Sequence, residues 1–106
     1  MNAVIYARFS SAAQREASIE QQINVCTAFA EREGYNVIQT YADRALTGRT
    51  DRRPQFLQMI KDARKGRFCA VIVYALDRFS RDKYDSARYK HELRQSGVRV
   101  VSATEP

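Results

Sequence analysis

The stretch AVIVYALDRFSRD, residues 70–82, decides the fold more than any other part of the chain. Its first half is an almost continuous apolar run rich in β-branched residues, which is typical of a strand covered on both faces of a parallel sheet. A second stretch, AVIYARFS at residues 3–10, is also an apolar run that ends in arginine, phenylalanine and serine. The two stretches therefore predict two buried strands that end in similar polar residues.

Helical patterns separate the predicted strands. The residues SIEQ at 18–21 fit a capping box, in which the hydroxyl of Ser18 and the amide of Gln21 bond each other's backbone N–H groups. A glycine placed where the apolar period stops is a common helix end. We predict a helix from Ser18 to Gly34, a second from Pro54 to Gly66, and a third, more weakly patterned one over residues 84–96.

The remaining apolar segments predict strands over residues 3–9, 35–41, 69–76 and 98–103, with a long loop over 42–53. Alternation of strands and helices implies right-handed crossovers between parallel strands. The fold class predicted is α/β, with a mostly parallel, doubly wound sheet in the flavodoxin-like order 2-1-3-4 and helices on both faces. At 106 residues the chain is predicted to form one domain.

In a doubly wound sheet the functional crevice lies beyond the carboxyl ends of the strands, at the point where the strand order reverses. For the order 2-1-3-4 that point falls between the first and third strands. The side chains expected to meet there come from the two stretches already quoted: Tyr6, Arg8 and Ser10 from one, and Asp77, Arg78 and Arg81 from the other.

Composition favours a phosphate-bearing partner. The chain has 18 basic and 12 acidic residues, a net charge of +6, and 14 of the basic residues are arginine. Arginine binds phosphate oxygens through a planar, bidentate fork and keeps its charge in proteins. No apolar run of about 18 residues and no signal peptide can be read, so we expect a soluble, cytoplasmic protein without a membrane partner. Cys26 and Cys69 are predicted to be buried, reduced thiols.

The expected site contains a serine among arginines and no histidine, because the single His91 falls in the weak third helix. A hydrolytic triad is therefore not predicted, and neither a metal site, a Walker loop nor a dinucleotide motif can be read, so no cofactor is expected. Guanidinium groups would lower the pKa of a serine hydroxyl and neutralise charge on a phosphoryl group under attack. This chemistry is nucleophilic attack on a phosphodiester.

Four motifs in order make the chain resemble the catalytic domain of serine recombinases, the group of resolvases, invertases and large integrases. The motifs are YARFSSAAQ at 6–14, SIEQQ at 18–22, YADRALTGRTDRRP at 41–54 and LDRFSRD at 76–82. The resemblance implies an enzyme that cleaves and rejoins double-stranded DNA without metal or ATP, through a 5′-phosphoserine link and a free 3′ hydroxyl.

The resemblance also implies roles for individual residues. Ser10 matches the nucleophile, and Asp77 matches an acidic position that either transfers a proton or orients an arginine. The phosphate-binding arginines, the polar site residues and the aromatic residue beneath them correspond to Arg8, Arg53, Arg78, Arg81, Gln14, Gln22 and Tyr6. Residues of the long loop that either contact the DNA backbone or are solvated are Arg44, Thr47, Arg49 and Arg52.

Compared with the family, the chain ends at residue 106, before the long helix that mediates dimer and DNA contacts and before any DNA-recognition domain. We therefore expect a catalytic domain cut from a longer protein that self-associates to a dimer and a tetramer, and an isolated fragment without activity.

Other readings of the same residues remain open. Ser10 and Ser11 could be turn residues, and we interpret Ser80 as a turn or N-cap residue. The arginines could serve a doubly wound module that binds phosphate or nucleic acid without catalysis, although a phosphoacceptor domain would need acidic residues where Arg8 stands. A nuclease would share the cleavage step, and only rejoining of the covalent intermediate separates it from a recombinase.

Overall fold

The computed structural model describes residues 1–9, 18–44, 53–80 and 82–105 of the chain. Strands and helices alternate along these residues as the sequence predicts, except that two successive helices connect the third and fourth strands. The elements are β1 (Asn2–Phe9), α1 (Ile19–Glu33), β2 (Asn36–Arg44), α2 (Pro54–Ala63), β3 (Ala70–Val73), α3 (Leu76–Phe79), α4 (Lys83–Gln95) and β4 (Arg99–Ser102).

The described strands form one parallel sheet in the order β2-β1-β3-β4, so the predicted α/β fold class and the order 2-1-3-4 are confirmed. Helix α1 packs on one face through Cys26 and Ala30, against small and aliphatic side chains of β1 and β3. Helices α2 and α4 cover the other face, where Phe56, Met59 and Leu93 lie against both strands. The carboxyl ends of β1 and β3 therefore lie side by side.

Helix α1 begins and ends where the sequence predicts. The Ser18 hydroxyl accepts a hydrogen bond from the Gln21 backbone N–H at 3.1 Å, and the Gln21 side chain accepts one from the Ser18 N–H at 2.9 Å. Gly34 ends the helix in the left-handed conformation, with φ of 81°. A residue with a Cβ is strained in that conformation, so glycine stabilises this end.

Strand β2 is longer than predicted. The loop was expected to begin at Ala42, but β2 continues to Arg44 because β1 offers a pairing partner as far as Phe9. The register shifts by one residue between Ala3 and Val4, and Ile38 has no partner in it. Side chains alternate along a strand, so this shift reverses which residues of β2 share a face with Tyr6.

The third predicted strand is shorter in the structure. Strand β3 ends at Val73, and the residues Leu76–Phe79, for which only a strand end and a turn were expected, form the one-turn helix α3. The observed bounds of α4 and β4 differ from the predicted ones by one residue at each end. Helix α2 was predicted to reach Gly66, but it ends at Ala63, and Gly66 lies in the turn that follows it.

The two cysteines differ. Both are free thiols, but only Cys26 is buried, and burial raises its pKa to about 12. Cys69 is half-buried, with its thiol 3.4 Å from the carbonyl oxygen of Asn2, which corrects the expectation that both are buried. Among the described helices, none is both long and apolar enough to cross a membrane.

Candidate active site

The candidate site lies at the carboxyl ends of β1, β2 and β3. Tyr6 and Arg8 come from β1, and Asp77 and Arg78 come from α3, which follows β3 by two residues. Arg53 stands immediately before α2. The structure thus brings residues from the first, third and fourth of the sequence motifs to one end of the sheet.

Arg8 joins β1 to α3. Its Nη2 donates to the carbonyl oxygen of Asp77 at 2.8 Å, and its Nε lies 3.4 Å from the carbonyl oxygen of Arg78. A carbonyl oxygen carries no net charge, so these two bonds orient the guanidinium group without cancelling its charge. The predicted convergence of the first and third strands is therefore observed at Arg8.

Gln22 fixes the backbone of Arg8 from the side of α1. Its amide nitrogen donates to the Arg8 carbonyl oxygen at 2.9 Å, and its amide oxygen accepts from the Arg8 N–H at 3.2 Å. The side chain is fully buried. It bonds the strand end as a neighbouring strand would, so Gln22 supports the site from beneath.

Arg53 contacts α3 from the opposite direction. Its Nη1 donates to the carbonyl oxygen of Phe79, and its guanidinium carbon lies 3.7 Å from the centre of the Phe56 ring. Stacking of this kind restricts the guanidinium plane and stabilises the cation. The role of Arg53 as a phosphate-binding arginine remains a prediction, and its neighbour Arg52 lies outside the described residues.

Arg78 is the most enclosed of the described site arginines, at 8% exposure. Its Nη1 lies 3.0 Å from Oδ1 of Asp77, whose side chain is 65% exposed. The carboxylate of Asp77 is therefore in contact with an arginine, which is one of the two roles that the sequence left open for it.

Asp43 is a site residue that the sequence reasoning missed. It is 6% exposed at the end of β2, and the Tyr6 hydroxyl donates to its Oδ2 at 2.8 Å. The backbone N–H groups of Gln55 and Phe56 donate to its two oxygens at 3.0 Å each. Asp43 of β2 thus caps the amino end of α2, and it holds in place the start of that helix, which Arg53 immediately precedes.

Two signals in the sequence could have revealed Asp43. The residue before the predicted second helix is Arg53, whose side chain has no hydrogen-bond acceptor, so the first N–H groups of that helix needed an acceptor from elsewhere. An acidic residue also follows the predicted second strand, in the segment YADR at 41–44. The register shift places it opposite Arg8.

Tyr6 lies beneath the site with a fully buried ring. Burial raises the pKa of its hydroxyl far above the ordinary 10.0, and the negative charge of Asp43 raises it further, against opposing effects of Arg53 and Arg8. Its hydroxyl therefore keeps its proton at neutral pH and acts as a hydrogen-bond donor.

Arg44 lies in β2 rather than in a loop. Its Nη2 is 2.9 Å from a carboxylate oxygen of Glu20 at the start of α1, and both side chains are more than half exposed. This hydrogen bond is the main reason that the pKa of Glu20 is lowered. Exposed ion pairs are weak, so this pairing with Glu20 leaves a contact between Arg44 and the DNA backbone possible.

Several predicted residues lie outside the described part of the chain: Ser10, Gln14, Thr47, Arg49, Arg52 and Arg81. Ser80 is described, and its hydroxyl donates to the carbonyl oxygen of Asp82 at 3.2 Å, as a turn residue would. His91 is exposed on α4. In the described residues, no group of three or more His, Cys, Asp or Glu side chains is arranged to hold a metal ion.

Comparisons with known proteins agree on one family. The model described as "Resolvase, N terminal domain" matches residues 3–106. No curated protein matches the chain by sequence.

Three solved structures are similar over nearly the whole chain. The N-terminal catalytic domain of TP901-1 integrase is 32% identical with a TM-score of 0.84, over 97% of this chain and 77% of that one. A resolvase family site-specific recombinase from Streptococcus pneumoniae is 28% identical with a TM-score of 0.85, over 97% and 72%. The C-terminal catalytic domain of ISC1926 TnpA, an IS607-like serine recombinase, is 29% identical with a TM-score of 0.83, over 100% and 72%.

Proposed function

This chain belongs to the resolvase N-terminal domain family and is a serine recombinase catalytic domain, and we propose that it cleaves and rejoins double-stranded DNA with the Ser10 hydroxyl as nucleophile. The observation that carries the proposal is the convergence of Arg8 and Arg53 on the backbone of α3, the helix that bears Arg78. Three guanidinium groups from three parts of the chain thereby lie around one end of the sheet. Ser10 follows directly after the last residue of β1, two positions after Arg8.

The proposed reaction is the one that membership of the serine recombinase family implies. The Ser10 oxygen forms a bond to phosphorus, the bond between phosphorus and the 3′ oxygen breaks, and the proton lost by the serine balances the one gained by the leaving 3′ hydroxyl. One phosphate ester replaces another, so no external energy source is needed. Attack of a 3′ hydroxyl from another strand on the phosphoserine reverses the step and rejoins the DNA.

The arginines act on the charge that develops during this transfer. Arg8, Arg53 and Arg78 stabilise the equatorial phosphoryl oxygens, and fixed donors of this kind lower the barrier without reorganising during the reaction. We assign to Asp77 the role of orienting Arg78, supported by their 3.0 Å contact. Tyr6 supports the site as a neutral donor, and Gln22 holds the strand that leads to Ser10.

We also propose that Gln14 and Arg81 complete the site, and that Arg44, Thr47, Arg49 and Arg52 contact the DNA backbone. Rejoining strands from two duplexes requires both to be held together, so the proposal includes assembly to a dimer and a tetramer, in the cytoplasm. The chain spans 72% to 77% of these matched structures. We therefore propose that it acts within a longer recombinase, and the assays below use that protein.

Covalent trapping on supercoiled DNA tests the nucleophile. The wild-type protein is expected to form an alkali-labile adduct on the 5′ phosphate, and Ser10→Ala to abolish it while leaving noncovalent DNA binding intact. Ser11→Ala and Ser80→Ala are the matched controls, and each should still form the adduct. An adduct that survives Ser10→Ala, or that maps to the 3′ end, would contradict the proposal.

The same assay separates the two alternatives to a recombinase. A nuclease would release cleaved DNA without exchanged, rejoined products. A phosphate-binding module without catalysis would form no adduct at all.

A further inference from the structure

The segment that follows β4 lies beside the end of β3 and the residues that lead into α3, which bears Asp77 and Arg78 of the candidate site. Its backbone is anchored to the last residue of β3 and to the residue that follows: Ala103 N–H donates to the Val73 carbonyl oxygen at 2.8 Å. Thr104 donates to the Tyr74 carbonyl oxygen from its N–H at 3.2 Å and from its hydroxyl at 2.6 Å. The segment is therefore held against the residues that lead into α3.

Glu105 reaches from this segment to the first residue of α3. Its Oε1 accepts from the Leu76 backbone N–H at 2.7 Å and from the Ser102 hydroxyl at 3.1 Å. The Ser102 hydroxyl in turn accepts from the Glu105 N–H at 3.1 Å. Ser102 therefore contacts both the backbone N–H and the carboxylate of Glu105, which helps to hold the carboxylate at the start of α3.

Helix α3 needs such support because it is a single turn of four residues. A turn of this length is unstable without outside contacts, since fixing its backbone costs more than its own hydrogen bonds return. The residue before it, Ala75, makes no side-chain cap bond. Glu105 supplies the missing acceptor for the first N–H group of this turn.

The carboxyl end of α3 is held by the site itself. The carbonyl oxygens of Asp77, Arg78 and Phe79 accept hydrogen bonds from Arg8 and Arg53. Helix α3 is thus bonded at one end by the two arginines and at the other by Glu105. Between these contacts it carries Asp77 and Arg78, whose directions depend on where the helix lies.

We infer that Glu105 is a positioning residue of the recombinase reaction, which holds α3 so that Arg78 and the carbonyl oxygens that orient Arg8 and Arg53 keep their places. The inference rests on the proposed function, because its consequence is a slower attack on the phosphodiester. In the proposed role, Glu105 contacts neither the phosphate nor the nucleophile. It acts through the backbone N–H of Leu76.

Two substitutions separate a hydrogen-bond acceptor from a general effect on folding. Glu105→Ala removes the acceptor and should slow formation of the serine adduct about tenfold, the rate factor that the loss of one hydrogen bond to a charged group can produce. Glu105→Gln keeps an acceptor oxygen of the same reach and should return the rate to within about threefold of wild type. Glu33→Ala removes another exposed glutamate, at the end of α1, and should leave the rate unchanged.

Hydrogen exchange at the Leu76 amide provides a second readout that does not depend on activity. Protection of this amide should fall at least about tenfold in Glu105→Ala and remain in Glu105→Gln, because exchange follows local opening of the bond that protects it. Thermal unfolding of the three variants should stay close to that of wild type, since Glu105 is exposed.

The outcomes distinguish this inference from the proposed function. If Glu105→Gln slows the adduct as much as Glu105→Ala, or if Glu105→Ala behaves like Glu33→Ala in both readouts, the inference is wrong. If the wild-type protein forms no serine adduct, the proposed function fails, and unchanged protection of Leu76 in Glu105→Ala would then overturn the contact as well.

Discussion

The two faces of the sheet differ in what their side chains can do. The buried residues of the face under α1 are small and aliphatic groups such as Ala3, Ile5 and Ile72, and the aromatic rings of this face, Phe29, Tyr35 and Tyr74, are only partly buried. The face under α2 and α4 buries aromatic rings among its aliphatic side chains, and two of these rings, Tyr6 and Tyr41, end in hydroxyls bonded to carboxylates. The apolar cluster of the first face contributes stability, and there the site is held by Gln22 of α1, which bonds the backbone of Arg8; on the second face, members of the core cluster themselves position the site.

Phe56 is the centre of the aromatic face. Its ring makes edge contacts with Tyr6, Phe79 and Tyr89 at 5.0–5.2 Å between ring centres, and Arg53 stacks on it. Substitutions that cost a similar unfolding free energy on the two faces should therefore differ in their effect on activity.

The largest effect on stability is expected for Phe56→Ala, which should lower the free energy of unfolding by about 3–5 kcal/mol in denaturant titrations. Ile72→Ala on the other face is the matched control, with an expected cost of about 2–5 kcal/mol. Where both proteins remain folded, only Phe56→Ala should slow adduct formation, because it removes the surface under Arg53. Equal losses of activity would break the comparison.

A large effect on rate is expected for Arg8→Lys, which keeps the charge but removes the fork that bonds two carbonyl oxygens of α3. Cleavage in the longer recombinase should fall at least about 10²-fold, the order seen when one preorganised donor is removed. Noncovalent DNA binding in gel-shift assays should be nearly unchanged. Arg64→Lys, at an exposed pair with Glu92, is the control, and equal losses in binding and cleavage would make Arg8 an ordinary backbone contact.

An intermediate effect is expected for Asp43→Asn. One of its two oxygens is replaced by an N–H₂ group, so at least one of the three donors at Asp43 loses its acceptor. The expected loss is about 1–3 kcal/mol of unfolding free energy, measured by denaturant titration, together with slower cleavage because Arg53 precedes the helix that Asp43 caps. Glu20→Gln, at an exposed pair, should change neither quantity; a full retention of stability in Asp43→Asn would show that α2 has another cap.

The smallest effect concerns alkaline pH. The pKa values of Tyr6 and Tyr41 are raised above the ordinary 10.0, chiefly by burial in both cases. The folded protein then holds phenolic protons that the unfolded chain releases, so the stability they contribute is complete below about pH 10 and falls as pH rises further. Tyr41→Phe should reduce this slope, by at most about 1.4 kcal/mol per pH unit for one phenol.

The measurement for this last prediction is a series of denaturant titrations between pH 9 and pH 11. Tyr84→Phe is the control, because that ring is 87% exposed. If Tyr41→Phe leaves the pH dependence of the unfolding free energy unchanged, the raised pKa of Tyr41 does not contribute to stability in the way proposed.

The candidate site could be predicted in part from the sequence. Arg8, Gln22, Arg53, Asp77 and Arg78 were named from motifs, and the structure brings them together through α3. The roles assigned to Ser10, Gln14 and Arg81 stay predictions. Asp43 and Glu105 were missed, because neither belongs to a local pattern with the element that it caps.

The sequence by itself determined the structural features that depend on residues close to one another along the chain. The apolar runs of β1 and β3, the capping box at Ser18 and the left-handed glycine at Gly34 each arise within a few residues. Tertiary structure alone decided the shifted register of β2, the helix α3, and the carboxylates that cap helices α2 and α3. Asp43 meets Tyr6 across 37 positions and Glu105 meets Leu76 across 29, so these contacts exist only once the sheet has brought the strand ends together.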